Sequence, residues 1–160
     1  MLLLELFKDA KTKMHWYEDH GKIHGLFKLG DVEYVIQFMH LKNSPSDPIL
    51  RELKKRTVTD HTWFFSFAAK PKGGNLTDRE TDARQSIKVF SIVMQRLEKF
   101  VATKNVDMLF FGCTTGKENR RTLYQRLVDR YCSKHGWEVI DEENAKFWGD
   151  EKHLWIVKKK

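Results

Sequence analysis

Short runs of β-branched and aromatic residues, separated by turn signals, dominate the first forty residues of the chain. The run from Val32 to Met39 is the clearest of them, because Val, Ile, Tyr and Phe fit the pleated surface of a sheet. Glycine and aspartate at 19–21 and at 30–31 are typical of turns. The pattern predicts an antiparallel β-meander. Its strands cover residues 2–8, 13–18, 22–29 and 32–39.

Between residues 43 and 104 the pattern changes to a mixture of helix and strand. Asp47 is a good N-cap and Pro48 a good first helical residue, which predicts a short helix from Pro48 to Arg56. The continuous apolar run from Trp63 to Ala69 predicts a buried strand. A long amphipathic helix is predicted at about 83–104, because apolar residues recur there at intervals of three and four. These residues are Ile87, Phe90, Met94, Leu97 and Val101.

The last third of the chain repeats this alternation of strand and helix. Apolar residues at 106–112 predict another strand, and a second helix follows and ends before Gly136, a residue suited to the C′ position. The apolar face of that helix carries Leu123, Leu127, Tyr131 and His135. Strands at 137–140 and 152–157 close the chain, and residues 144–149 are expected in the connection between them.

This order of elements predicts an α+β fold with a mixed, mostly antiparallel sheet that is flanked by helices on both faces. The 160 residues, of which 41% are hydrophobic, suit a single domain with one core. We therefore expect one domain over residues 1–160 that ends in a short basic tail, Lys158–Lys160.

Charge and cysteine content narrow the class of protein. The chain has 29 Lys and Arg against 22 Asp and Glu, a net charge of +7, which favours anionic partners, although solubility alone also accounts for such a balance. The seven histidines form no HxxxH or HExxH motif and the two cysteines form no CxxC pair, so no metal site is expected. No segment reaches the roughly 18 apolar residues of a membrane span. We expect a soluble, cytoplasmic protein with no membrane partner.

Two short segments resemble the GCN5-related N-acetyltransferase (GNAT) family. Arg120–Tyr124 is similar to the family's helix segment that ends in Leu-Tyr, and Gly136-Trp137 stands where the family has Gly-Phe. The order of elements over residues 13–157 is similar to the family's core. The resemblance implies a GNAT-like fold, acetyl-CoA as cofactor, and Tyr124 as the general acid that protonates a departing thiolate. The alternative for Tyr124 is a core tyrosine packed beside Leu123 and Leu127.

A further likeness concerns small GNAT-like proteins that bacteriophages encode. Lys88-Val89-Phe90, followed by Arg121 and Leu123-Tyr124, resembles those proteins, which implies the host cytoplasm as the location. The chain departs from the family in the loop that should hold the pyrophosphate. Its glycines, Gly73 and Gly74, lie well before the long helix, and the carboxylates of residues 78–82 would repel a pyrophosphate there.

Basic residues form several clusters that could neutralise phosphates. One group lies on the predicted short helix, one in the loop after residue 69, and one at the start of the second long helix, where cations oppose the helix dipole. Further along that helix, basic residues recur every four positions as a stripe. The proposed nucleic-acid contacts are Lys54, Lys55, Arg56, Lys70, Lys72, Lys117, Arg120, Arg121, Arg126, Arg130 and Lys134.

Aromatic residues near turns and strand ends could stack on unpaired bases, as they do in proteins that bind single strands. The candidates are Trp16, Tyr17, Trp148 and Trp155. The sequence therefore favours a protein that binds nucleic acid, RNA more than duplex DNA, on an acetyltransferase-like scaffold without catalytic residues or a cofactor. An active acetyl-CoA-dependent N-acyltransferase that uses Tyr124 is the alternative, and a phage protein that binds an acidic host protein is the second alternative.

Overall fold

The computed structural model describes residues 13–19, 21–29, 32–41, 59–71, 83–114, 118–147 and 150–160. Nine elements lie in these ranges. The strands are β1 (His15–Asp19), β2 (Lys22–Leu29), β3 (Val32–His40), β4 (Thr62–Pro71), β5 (Met108–Thr114), β6 (Trp137–Phe147) and β7 (Asp150–Lys159). The helices are α1 (Ala83–Lys104) and α2 (Glu118–His135). The predicted strand at 2–8 and the predicted helix at 48–56 lie outside the described residues.

The strands form one sheet in the order β1-β2-β3-β4-β5-β7-β6. Its first three strands are the predicted meander, with antiparallel pairs such as Ile23 opposite Phe38. Among the described strands, β4 and β5 alone pair in parallel, and α1 forms the crossover between them that parallel neighbours require. The sheet is therefore mixed and mostly antiparallel, and the α+β fold class is confirmed.

Both described helices pack on the same face of the sheet. Val93 and Phe100 of α1 and Leu127 of α2 belong to one core cluster with alternate strand residues such as Phe65 and Phe111. The opposite face carries a second, smaller cluster. Its members are Met39, Leu41, Phe64, Met108, Phe110, Leu154 and Ile156. Helices were predicted on both faces of the sheet. The two described helices occupy one face, and the predicted helix at 48–56 lies outside the described residues.

The last two strands differ from their predicted bounds. Residues 144–147 were expected in a connection, but they continue β6 and pair with β7, with Asn144 opposite His153 and Phe147 opposite Asp150. The polar sequence of this segment hides the strand, which is specified by its partner and not by its own alternation. A register shift between Val139 and Asp141 marks a β-bulge.

Two glycines fulfil specific geometric needs. Gly136 ends α2 with a φ of 69°, the left-handed conformation predicted for a C′ residue. Gly112 lies in β5 where a Cβ atom would approach the Phe64 ring to 2.7 Å and Leu154 to 3.1 Å. The close contact between β4, β5 and β7 at this level therefore depends on the missing side chain of Gly112.

Candidate functional site

The central feature of the site is a gap between the two parallel strands. Their pairing begins at Thr62 opposite Met108 and ends at Phe65 opposite Phe111. Beyond that point β4 continues to Pro71 and stays paired with β3, whereas β5 continues to Thr114 and stays paired with β7. We call the gap between residues 66–71 and residues 112–114 the fork. Among the described strands, each arm pairs with a partner on its outer side, β3 for the first arm and β7 for the second.

The side chain of Tyr124, from the first half of α2, occupies the fork. Its hydroxyl accepts a hydrogen bond from the backbone N–H of Phe67 at 2.9 Å and donates to the carbonyl oxygen of the same residue at 3.4 Å. The N–H and C=O of Phe67 are the groups that β5 would pair if the strands stayed together. The Tyr124 hydroxyl therefore replaces the missing β5 ladder at this position, which keeps two buried backbone groups satisfied.

Aromatic rings hold Tyr124 from two sides. Its ring stacks on Phe67 with 5.0 Å between the centroids and an interplanar angle of 13°. On the β7 side it lies parallel to Trp155, at 6.0 Å and 6°. Because β4 and β7 lie on opposite sides of β5, the two rings flank Tyr124 from opposite directions. Tyr124 is 1% exposed and Trp155 is 0% exposed, so the stack is closed to water.

A polar network continues from Trp155 to the edge of the sheet. The indole N–H of Trp155 donates to the Gln125 side-chain oxygen at 3.0 Å, and His153 packs edge-on against Trp155 at 4.4 Å. The His153 Nε2 lies 2.7 Å from a Glu142 carboxylate oxygen, and its Nδ1 lies 2.7 Å from the Asn144 side-chain oxygen. His153 is buried, and the residue opposite it on the neighbouring strand β5 is Cys113.

Sequence reasoning missed most of this network. His153 sits in a strand pattern that gives no sign of its partners, and Glu142 and Asn144 fall in or beside the segment that was expected to be a connection. The one available signal was His153 directly before the apolar run that starts at Leu154, since a polar residue on a buried face needs partners. Trp155 was predicted to stack on bases. That prediction is wrong, because the residue is fully buried in the core.

The predicted basic stripe lies on α2, and its members differ in environment. Arg126 and Arg130 of the stripe are exposed, and so is Arg121 of the cluster at the start of the helix. Lys134 also faces water, but its ammonium group contacts the Glu98 carboxylate of α1 at 2.9 Å. Glu98 also contacts His135 at 3.2 Å. A carboxylate of the neighbouring helix therefore balances the charge of the stripe at its C-terminal end.

The other predicted contacts are only partly placed by the structure. Lys70 belongs to β4 and Arg120 to α2, and their side chains are not among those described. The remaining residues lie outside the described ranges: Lys54, Lys55, Arg56, Lys72 and Lys117. The glycine-containing loop before α1 also lies outside them. Helix α1 begins at Ala83, so the carboxylates of residues 78–82 precede it, as predicted.

Burial raises the pKa of two side chains on α2, Tyr131 and Cys132. Burial and, second, the Glu98 charge raise the pKa of Tyr131 well above the ordinary value for a tyrosine. Burial raises the pKa of the Cys132 thiol to about 11. Neither group is activated as a nucleophile or acid at neutral pH. Tyr131 and Cys132 are thus packing residues, in contrast to Tyr124, whose hydroxyl reaches backbone groups in the fork.

Exposed apolar residues and candidate ligand clusters are few in the described part of the chain. Tyr17 is 46% exposed and stacks on His24, and Val139 and Ile140 are exposed side by side on the edge strand β6. Within the same ranges no three His, Cys, Asp or Glu side chains converge in a way that could hold a metal ion. Neither α1 nor α2 is long and apolar enough to cross a membrane.

No family model matches the sequence of this chain, and no curated protein matches it significantly. Solved structures do match the fold. An uncharacterized protein from Bacillus halodurans superimposes with a TM-score of 0.56 and 8% identity, over 88% of this chain and 61% of that one. A spermidine N-acetyltransferase chimera from Vibrio cholerae and hSSAT gives a TM-score of 0.50 and 8% identity, over 98% and 74%.

An acetyltransferase of the GNAT family from Streptococcus pneumoniae also matches, with a TM-score of 0.45 and 12% identity, over 89% of this chain and 70% of that one. At such identities a likeness concerns the fold, and fold alone does not determine activity. The order of the elements and the likeness to the spermidine N-acetyltransferase chimera agree with the family that Arg120–Tyr124 and Gly136-Trp137 resemble. The chain has a GCN5-related N-acetyltransferase (GNAT)-like fold.

Proposed function

We propose that the protein is an acyl-CoA-dependent N-acyltransferase that carries out acyl transfer at the fork. The single observation that supports this proposal most is the position of Tyr124, the residue that the family resemblance nominates as general acid. The Tyr124 hydroxyl lies between the diverging strands, where it contacts the backbone of Phe67. A buried tyrosine hydroxyl normally finds a hydrogen-bond partner, so the support comes from where this partner lies, on the strand that borders the fork.

The fork suits a ligand that carries amide and carbonyl groups along an extended chain. The N–H and C=O of Phe67 both face the Tyr124 hydroxyl in the gap, and an extended ligand can pair with such backbone groups as an added strand would. Acetyl-CoA, when bound, supplies an acyl group that is activated as a thioester. In this arrangement the Phe67 N–H would hold a carbonyl oxygen of the ligand, and that contact would polarise the carbonyl for attack by an amine.

Tyr124 would supply the proton for the departing sulfur. The amine nitrogen forms a bond to the acyl carbon, the carbon–sulfur bond breaks, and the thiolate takes the phenolic proton of Tyr124. The proton that the amine loses returns the phenol to its neutral form, directly or through water. General acid catalysis of this kind contributes about 10²- to 10⁴-fold in rate.

Turnover measured in the wild type and in Tyr124→Phe tests the proposal. Release of free CoA, followed by chromatography in the presence of a panel of primary amines, should be detectable in the wild type and lower by about 10²-fold or more in the variant. Tyr131→Phe is the matched control, because that residue is equally buried on the same helix and lies away from the fork. A wild-type protein without turnover or acetyl-CoA binding, or a fully active Tyr124→Phe, would overturn the proposal.

Nucleic-acid binding through α2 is the second candidate function. It is supported by the exposed side chains of Arg126 and Arg130, for which the described residues provide no acidic partner. Such a surface would neutralise successive phosphates of a single strand and bind with a steep salt dependence. The interpretation as a phage protein that binds an acidic host protein stays a prediction, and the same helix face would serve it.

Fluorescence anisotropy with a labelled single-stranded RNA tests this second candidate. Binding at low salt should weaken steeply towards physiological salt, and the double variant Arg126→Glu and Arg130→Glu should abolish it. The matched control reverses Lys13 and Lys28 instead, two exposed lysines at the β1–β2 edge of the sheet, which changes the net charge equally. Equal losses in both double variants would mean that net charge alone attracts RNA, and the proposed surface on α2 would be wrong.

A further inference from the structure

Helix α2 is attached to the rest of the domain differently at its two ends. At its C-terminal end, Glu98 of α1 binds Lys134 at 2.9 Å and His135 at 3.2 Å. Within its first half, two hydrogen bonds tie it to the sheet: the Tyr124 hydroxyl to Phe67, and the Gln125 side chain to Trp155. The end near the fork is therefore held by side-chain contacts with two strands, and the far end by a contact with a helix.

Both ends of the Gln125 side-chain amide have a partner, and this fixes the orientation of its contact with Trp155. The Gln125 amide nitrogen donates to Asp129 at 2.9 Å, one turn further along α2, and this leaves the amide oxygen to accept the Trp155 N–H at 3.0 Å. Because Trp155 is fully buried, that N–H has no access to water. A movement of the first half of α2 away from the sheet would break this bond and the Tyr124 contact together.

The Tyr124 hydroxyl also blocks the groups that the proposed ligand would use. The N–H of Phe67 has one proton to donate, and in the structure the hydroxyl takes it at 2.9 Å. The flanking rings of Phe67 and Trp155 prevent the Tyr124 ring from swinging sideways, since they lie on both of its faces at 5.0 and 6.0 Å. A ligand can reach the Phe67 backbone only after the hydroxyl is withdrawn, and withdrawal requires a shift of α2.

We propose that Tyr124 and Gln125 form a latch that holds the fork closed, and that ligand entry requires the first half of α2 to move outward. This inference rests on the proposed function, because it concerns access of the acyl donor to the same fork. In the closed state the latch bonds are made, and in the open state they are replaced by bonds to the ligand. The apparent affinity is the intrinsic affinity multiplied by the fraction of open molecules.

The latch predicts that mutations which remove its bonds tighten the binding of acetyl-CoA. Tyr124→Phe removes a bond that only the closed state makes, so it should raise the open fraction and tighten acetyl-CoA binding, by about 2- to 12-fold for one hydrogen bond. Gln125→Met removes the second latch contact and leaves the Tyr124 hydroxyl in place, and it should tighten binding in the same range. A purely structural or catalytic role for these residues predicts weaker or unchanged binding.

Two measurements on the full chain test the latch. Hydrogen exchange without ligand should show faster exchange over the first half of α2 in Tyr124→Phe and Gln125→Met, and calorimetric titration with acetyl-CoA should show the tighter binding. The controls are Tyr131→Phe and Glu98→Gln, which alter a buried tyrosine and the far anchor of α2 without touching the latch. Neither control should change the affinity for acetyl-CoA or the rate of hydrogen exchange over the first half of α2.

The two measurements also separate this inference from the proposed function. If the wild type binds acetyl-CoA but the latch variants bind it equally or more weakly, the latch is wrong and the proposed function stands. If no protein binds acetyl-CoA, the proposed function fails, and hydrogen exchange alone decides the latch. Unchanged exchange over the first half of α2 in both latch variants would overturn it in either case.

Discussion

Removal of the Tyr124 hydroxyl is the most informative perturbation of stability that the structure offers. Tyr124→Phe keeps the ring and both of its stacking partners, so the change is confined to the two contacts with Phe67, at 2.9 and 3.4 Å. The buried N–H of Phe67 then loses the hydroxyl acceptor that it has in the structure. An unsatisfied buried donor costs about 1–3 kcal/mol, and the longer contact to the carbonyl adds little to this cost.

Urea denaturation followed by circular dichroism measures this cost directly. We expect the free energy of unfolding of Tyr124→Phe to fall by about 1–3 kcal/mol with an unchanged m-value, because the surface exposed on unfolding stays the same. For a domain of this size, each kcal/mol lowers Tm by about 2–4 °C. Tyr131→Phe is the matched comparison, since that residue is also 1% exposed on the same helix.

The result that would refute this reasoning is a small loss. If Tyr124→Phe loses less than about 0.5 kcal/mol, a typical value for a neutral surface substitution, the hydroxyl does not complete the ladder at Phe67. The same result would count against the proposed latch, because the latch depends on the same two contacts between Tyr124 and Phe67.

Three further predictions follow from other contacts. Gly112→Ala should destabilise the fold by about 1–3 kcal/mol in the same urea assay, because the new methyl group would overlap the Phe64 ring, and a wild-type value would show that the strands can spread apart. Cys132 should react with iodoacetamide at pH 8 about a hundredfold more slowly than a free thiol and faster as the pH rises towards its pKa of about 11, because only the thiolate reacts; fast reaction at pH 8 would contradict its burial. Glu98→Gln should cost less than about 1 kcal/mol, and the loss should shrink at high salt, because its partner Lys134 faces water; a larger loss that salt does not change would mean that the anchor is not electrostatic.

The elements that the sequence predicted correctly are those with a strong local pattern. Helix α1 runs over 83–104 as its apolar residues at intervals of three and four require, and Gly136 ends α2 in the conformation that favours glycine. The extension of β6 to Phe147 was missed, because its polar residues show no alternation and the strand is specified by pairing with β7. The local sequence pattern therefore determined whether a segment forms a helix or a strand, whereas pairing with the neighbouring strand determined how far β6 extends.

The candidate site depends on contacts between residues that are far apart in the sequence. Tyr124 meets Phe67 across 57 positions and Gln125 meets Trp155 across 30. Family resemblance drew attention to Tyr124, but no pattern in one sequence shows which backbone group its hydroxyl reaches. The misassignment of Trp155 has a similar cause, since a tryptophan near a strand end can face water or the core, and only the packing of α2 against β7 decides this.

Calorimetric titration of the wild-type chain with acetyl-CoA tests the central claim, that the fork is an acyl-donor site, most directly. The account predicts saturable binding of one molecule per chain. It also predicts that Tyr124→Phe retains this binding and tightens it, while Tyr131→Phe leaves it unchanged. Absence of binding up to about 1 mM, an affinity no stronger than about −4.1 kcal/mol, would contradict the claim.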